Sequence, residues 1–310
     1  MTSTRPTPDP AASFEPHRRR LLGLAYRMLG SMADAEDAVQ DAYLRWHAAD
    51  RAAVSDPRAF LMTTTTRICL DMLTSARARR EQYVGPWLPE PVLDTRALAP
   101  DTHADLADDL SIALLLTLDR LSPLERAAFL LHDVFEFSFR EIASALGRSE
   151  AACRQLASRA RAHVRAARPC GATAPRAHEV EEKHAQLLSA FVAASRSGDL
   201  EALTRLLARD VRVVTDGGGK VPASLNVLEG ADRAARFLAG ATRKGWRDDF
   251  TLRVTLINGL PGILVLAPEG PVQTAAFEIE DGLVRAIYVV RNPDKLRLLP
   301  NTKPLEDVRQ

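Results

Sequence analysis

The sequence predicts a multidomain chain: two all-α segments, the second built around a helix-turn-helix, followed by an α+β domain with a curved antiparallel sheet. Three observations carry this. Apolar residues recur at helical spacing through most of the first half. Strand-like runs punctuated by glycine and proline fill the region after Val180. Two breaker-rich stretches, 81–109 and 168–175, separate the blocks. At 310 residues the chain has room for two or three domains of ordinary size.

His17 to Leu29 sets Leu21, Leu22, Ala25, Met28 and Leu29 on one helical face, and Gly30 stops the helix. Ser31 caps a second helix, whose first turn holds Asp34, Glu36 and Asp37 where the helix dipole favours them. Its inward side is Ala35, Val39, Ala42, Tyr43 and Trp46. Pro57, after Asp56, opens a third, with Phe60, Leu61, Thr64, Ile68 and Met72 inward, ending at Arg77, Arg79 and Arg80. Residues 81–109 hold four prolines and one arginine against seven acids, a net of −6, which is linker composition.

Ser122-Pro123-Leu124-Glu125 has the spacing of a capping box. Phe139 to Gly147, then Ser149 and an arginine-rich helix, form a helix-turn-helix pattern with Ile142, Ala143, Leu146 and Leu156 as its core. Beyond Pro175 come two helices (Val180 to Ser195, Asp199 to Leu207), a strand (Val211 to Thr215) and a glycine turn at 216–220. A helix near Ala231 to Leu238 follows, then strands at Phe250 to Ile257, Ile263 to Leu266, Val272 to Ile279 and Leu283 to Val290. Such tight spacing implies an antiparallel sheet with helices on one side.

Composition narrows the function classes. Hydrophobic residues at 46% and charged residues at 26% exclude global disorder and a fibrous repeat. Forty-one lysines and arginines against 40 acids give +1, which excludes a uniformly basic nucleic-acid binder but not opposed patches. Cys69, Cys153 and Cys170 are odd in number and lack C-x-x-C spacing, so neither a zinc site nor a disulfide framework is expected. No amino-terminal apolar core of a signal peptide and no membrane-length apolar run occur, so a soluble cytoplasmic protein is expected. The last block offers only His178 and His184 as histidines, and its glycine run lacks phosphate-loop spacing. No catalytic residue, metal or cofactor is therefore expected.

The charges are segregated. Phe137 to Arg168 nets +5, with Arg154, Gln155, Ser158, Arg159 and Arg161 opposite the apolar positions, where guanidinium and amide groups can read a major groove. Arg67, Arg77, Arg79 and Arg80 against Asp71 give +3, and Thr63 to Thr66 lie beside them, a candidate phosphate and base contact. Ser31 to Asp50 nets −4, which points that surface toward a protein.

Residues 34–46 (DAEDAVQDAYLRW) resemble conserved region 2 of bacterial sigma factors, and Leu121 to Arg126 through Arg161 resembles their region 4. The spacing resembles the extracytoplasmic-function class of the sigma-70 family. Three further matches resemble the SigJ-like group, whose members carry a carboxy-terminal SnoaL-like (NTF2-like) domain. These are Trp87-Leu88-Pro89-Glu90-Pro91, Asp216-Gly217-Gly218-Gly219-Lys220 and Asn292-Pro293-Asp294-Lys295-Leu296.

The resemblance implies a tail without fixed structure (1–13), region 2 (14–84), the acidic linker (85–105), region 4 (106–168), a second linker (169–179) and the SnoaL-like domain (180–310). It implies core RNA polymerase and promoter DNA as partners. Asp37, Gln40 and Asp41 would meet the β′ clamp helices, and region 4 the β flap. The loop Asp50 to Pro57, with Arg67, Asp71 and the Arg77, Arg79, Arg80 cluster, would serve the −10 element. Ser149, Arg154, Gln155, Ser158, Arg159 and Arg161 would serve the −35 element. The three signatures would couple the extension to the sigma core in place of a separate anti-sigma factor, with Lys220 and Lys295 docking on the acidic linker around Glu90. A small-molecule ligand of that domain stays open, as does the alternative of a helix-turn-helix regulator fused to a cyclase- or isomerase-like enzyme.

Overall fold

The computed structural model describes residues 9–81, 83–93, 98, 110–167 and 177–300, without side-chain placement for 75–81, 167 and 177–181. Two compact units divide the chain: 1–81 with 95–168, and 82–94 with 169–310.

Among the described residues the regular elements of the first unit are all helical. Helix α1 spans Pro10–Leu29, α2 Met32–Ala48 and α3 Pro57–Glu81. The expected start at His17 is corrected here, and of the expected tail residues 10–13 are helical while 1–8 lie outside the described residues. Asp9 caps α1 through the Ala11 amide, Pro10 takes the first turn, and the interior Pro16 that masked the helix in sequence is tolerated. The added turns are held by packing: Phe14 is buried edge-on to Tyr43 at 5.1 Å, and the Trp46 indole N–H donates to Ser13 Oγ at 3.1 Å. In α3 the buried side is Leu61, Met62, Thr65, Thr66, Ile68, Cys69 and Leu73, rotated from the expected one, with Phe60 and Met72 only part-buried.

Helices α4 (Ile112–Asp119), α5 (Pro123–Phe129, continuing as a π-helical turn over Leu130–Val134), α6 (Phe139–Leu146) and α7 (Glu150–Ala167) complete the unit. Ser122 with Glu125 and Ser138 with Glu141 both form complete capping boxes. Gly147 is left-handed (φ 62°) and turns α6 into α7 over a core of Ile142, Ala145, Cys153, Ala157 and Ala160.

In the second unit α8 (Ala177–Ser197), α9 (Leu200–Leu206) and α10 (Ala231–Gly245) pack on a six-stranded sheet ordered β2-β1-β6-β5-β4-β3. The strands are β1 Leu207–Asp216, β2 Leu228–Glu229, β3 Thr251–Ile257, β4 Leu260–Ala267, β5 Gly270–Glu280 and β6 Leu283–Val290; α11 (Pro293–Leu296) follows. The expected all-antiparallel sheet is corrected: β1 pairs parallel with β6, because the α10 to β5 excursion returns the chain beside β1 in the same direction. Asp216 is thereby registered with Val290, the residue that leads into the 292–296 signature.

Irregularities at Val265/Leu266 and Glu278/Ile279 fit the curvature of the sheet. The β3–β4 turn is Asn258-Gly259, both at positive φ, so β4 begins three residues before its expected start at Ile263. Phe191, Leu203, Val213, Phe277 and Ile287 fill the interior between sheet and helices.

Burial aside, Glu141 accepts from the Ser138 hydroxyl and backbone N–H, which lowers its pKa. A depressed carboxylate stabilises above its unfolded value and loses that contribution as pH falls through the folded one. Glu141→Gln is therefore expected to cost about 0.3–1 kcal/mol at pH 7, and that cost should shrink as pH falls through the depressed pKa of Glu141. Urea midpoints measured from pH 7 downward would check this, and an undiminished loss throughout would refute the charge assignment.

Candidate functional site

Two arrangements stand out, one in each unit. In the second, the three signatures meet around a single carboxylate. Asp216 ends β1 and is fully buried. Its Oδ1 accepts from the Tyr83 hydroxyl at 2.5 Å and the Gly218 N–H at 3.0 Å; its Oδ2 accepts from the Leu88 N–H at 2.9 Å and Lys295 Nζ at 2.7 Å. Four donors use the full acceptor capacity of an ionised carboxylate. Lys295, 8% exposed, also donates to the Leu88 carbonyl and lies over the Trp87 ring (4.4 Å) and the Tyr83 ring (4.9 Å). Asn292 caps α11 through the Asp294 N–H and donates from Nδ2 to the Tyr83 oxygen at 2.8 Å. Burial, then the hydrogen bond to Asp216, push the Tyr83 phenol above its usual range.

The glycines follow from this crowding. A Cβ on Gly218 (φ 62°) would sit 2.3 Å from Asn292 Nδ2, and one on Gly217 would sit 2.3 Å from the Val221 carbonyl oxygen. Asp216 is thus a buried anchor at the head of the glycine turn. The expected docking by Lys220 is also corrected: it pairs with Asp294 at 2.6 Å in solvent, while Lys295, Asp216 and backbone groups hold Trp87 to Pro91. Leu88, Pro89 and Pro91 are buried, and Leu296 is 2% exposed.

A second anchor escaped the sequence reading. Asn258 is buried, donates its N–H to the Val92 carbonyl at 2.8 Å and accepts the Val92 N–H on Oδ1 at 3.1 Å. The Asn-Gly pair was a signal for the turn, not for this grip; Tyr83 carried no signal at all.

In the first unit, Asp37, Gln40, Asp41 and Leu44 share one exposed face of α2 at helical spacing, with Leu44 55% exposed. On α7, Arg154, Gln155, Ser158 and Arg159 form an exposed face; Arg154 pairs with Glu150 at 2.8 Å and Arg159 with Glu125 at 2.9 Å. Arg161 sits at the margin of that face and reaches Asp133 at 2.7 Å, and the Ser149 oxygen caps α7 through the Ala152 N–H.

Asp71 is exposed; the side chains of Arg77, Arg79 and Arg80 lie outside the described residues, as does Cys170. Arg67 donates to the Ala145 and Ser144 carbonyls at the end of α6, at 2.8 and 2.9 Å. Arg58 donates to the Phe135 carbonyl at 3.0 Å and lies over the Phe137 ring at 5.3 Å. Buried Arg126 donates to the Met28 carbonyl. The first three helices and the helix-turn-helix are thus clamped by arginines on carbonyls. Among the described residues no cluster of acid, histidine and cysteine side chains could hold a metal ion, and no helix is long and apolar enough to cross a membrane.

Known proteins align with these divisions. A family model of sigma-70 region 2 matches residues 14–79, and one of sigma-70 region 4 matches residues 111–164. The chain is 39% identical over 294 residues to ECF RNA polymerase sigma factor SigJ of Mycobacterium tuberculosis, covering 92% of each chain. It is 32% identical to the probable ECF RNA polymerase sigma factor SigI of the same species, covering 93% of this chain and 95% of that one. The crystal structure of M. tuberculosis SigJ superposes with a TM-score of 0.69 at 35% identity, covering 94% of this chain and all of that one.

Lys295→Met leaves Asp216 as a buried charge without its cation. It is expected to destabilise the second unit by about 3–5 kcal/mol, read from thermal melting, whereas Lys220→Ala in its exposed pair should change stability by no more than about 1 kcal/mol. Equal effects of the two would refute the central role of Lys295.

Proposed function

Because the chain belongs to the extracytoplasmic-function RNA polymerase sigma factors of the sigma-70 family, which work with core RNA polymerase on promoter DNA, we propose that its first unit divides the work between two faces of opposite charge. The chain is a promoter-specific transcription initiation factor and not an enzyme. The α2 face of Asp37, Gln40, Asp41 and Leu44 docks on the β′ clamp helices, with the exposed Leu44 side chain at its carboxy-terminal end. Region 4 meets the β flap, and the α7 face reads the −35 element. The loop 50–57, Arg67, Asp71 and the 77–80 cluster act at −10. The factor works in the cytoplasm, beside its polymerase.

The observation that carries this reading is the separation of charges: α2 exposes carboxylates and α7 exposes guanidinium groups. Each suits only one of the two partners.

Arg67 is bonded to α6, so the free chain is closed, and the −10 residue becomes available only when the helix-turn-helix leaves the first three helices. The second unit, by gripping residues 83–92 through Asp216, Lys295 and Asn258, sets how freely the linker lets that happen. It takes the place of a separate anti-sigma factor.

Four variants test the scheme. Asp37→Arg with Asp41→Arg should weaken core polymerase binding at least tenfold and leave region 4 folded. Arg154→Ala should cost about 1–3 kcal/mol of discrimination at one −35 position, seen as relaxed base preference in run-off transcription. Arg58→Ala should speed assembly with core polymerase by opening the closed form, and Trp87→Ala should shift promoter output at least threefold. Wild-type behaviour of all four variants would sink the scheme.

A further inference from the structure

Helix α10 carries a charge pattern that its packing does not use. Ala234, Ala235 and Ala239 face the core, with Phe237 and Leu238 part-buried beside them. The outer side presents Arg233, Arg236, Arg243 and Lys244, all exposed, against one acid, Asp232, a net of +3. Arg209, exposed early in β1, joins Arg233 and Arg236 on the rim of an open hollow of about 500 Å³. Glu229 and Asp232 line it too, but Glu229 faces Arg212 at 3.7 Å. Arg205, Arg212, Arg247 and Arg285 in the same unit each have a carboxylate partner; Arg209, Arg233, Arg236, Arg243 and Lys244 have none among the described residues.

We propose that this ridge binds the phosphate backbone of DNA without reading its sequence. From Arg233 to Lys244 it runs about 16 Å along the helix axis, enough to follow several successive phosphates at about 3.4 Å of axis per strand. Three of its four helical cations are arginines, whose planar forks match phosphate oxygens. No asparagine or glutamine lies on α10 to read a base edge, and none of the large apolar residues exposed on the surface lies there to anchor a protein. The chemistry is therefore that of a polyanion contact. The inference rests on the promoter-DNA reading only for bringing DNA within reach.

The test uses the full chain, alone on a shuffled duplex and with core polymerase on promoter duplex, at about 50 to 200 mM salt. The variants are Arg236→Glu with Arg243→Glu, and the charge-keeping Arg236→Lys with Arg243→Lys. Losing two phosphate contacts should reduce the slope of log affinity against log salt by about 1.8. It should weaken low-salt binding about tenfold or more on both duplexes alike, while the lysine pair keeps the wild-type slope. An unchanged slope and affinity on both would overturn the proposal. So would lost polymerase affinity at constant slope, which would assign the ridge to a protein surface. A wild-type chain that binds the shuffled duplex but never initiates would count against the reading of the promoter sites and leave the ridge standing.

Discussion

The pairing of Asp216 with Lys295 is the constraint on which the second unit is organised. A carboxylate with no exposure is tolerated only if every lone pair is answered, and here a cation, a phenol and two backbone N–H groups answer them. Those partners come from three distant stretches of chain: the 83–88 segment, the glycine turn after β1, and α11. The ion pair therefore does not merely stabilise a fold. It makes the conformation of the linker conditional on the end of β1 and the start of α11 being correctly placed. The parallel pairing of β1 with β6, which registers Asp216 with Val290, supplies that placement.

The first unit solves a related problem with different chemistry. Its two helical groups are joined by guanidinium groups donating to helix-end or turn carbonyls: Arg67 on α6, Arg58 on Phe135 and Arg126 on Met28. Such contacts are directional and replaceable by water or phosphate, unlike a continuous apolar interface. Arg67 illustrates this, since its guanidinium spends two donors on the last carbonyls of α6.

Much of the helical half was legible in sequence because its signals are local. The capping box at Ser122, the turn at Gly147 and the polar face of α7 depend on residues within a few positions of one another. The start of α1 was missed because Pro16 speaks locally against a helix, while the contacts that hold the turns before it, Phe14 on Tyr43 and Ser13 on Trp46, lie in another helix. The partner of Lys220 was misjudged for the same reason. Charge alone drew it to the acidic linker, but Asp294 on α11 is nearer.

By itself the sequence determined the helix boundaries of the recognition segment, the opposed charges of α2 and α7, the three short signatures, and their family resemblance. These are properties of composition and of spacing over one or two turns. Only the tertiary structure decided that the signatures share one carboxylate, that Asn258 and Tyr83 belong with them, and that Lys295 rather than Lys220 is the cation that matters. That decision rests on burial. Two lysines equal in sequence differ because one is exposed beside a carboxylate, where water screens the pair, and the other is enclosed by two rings and a buried aspartate, where nothing does.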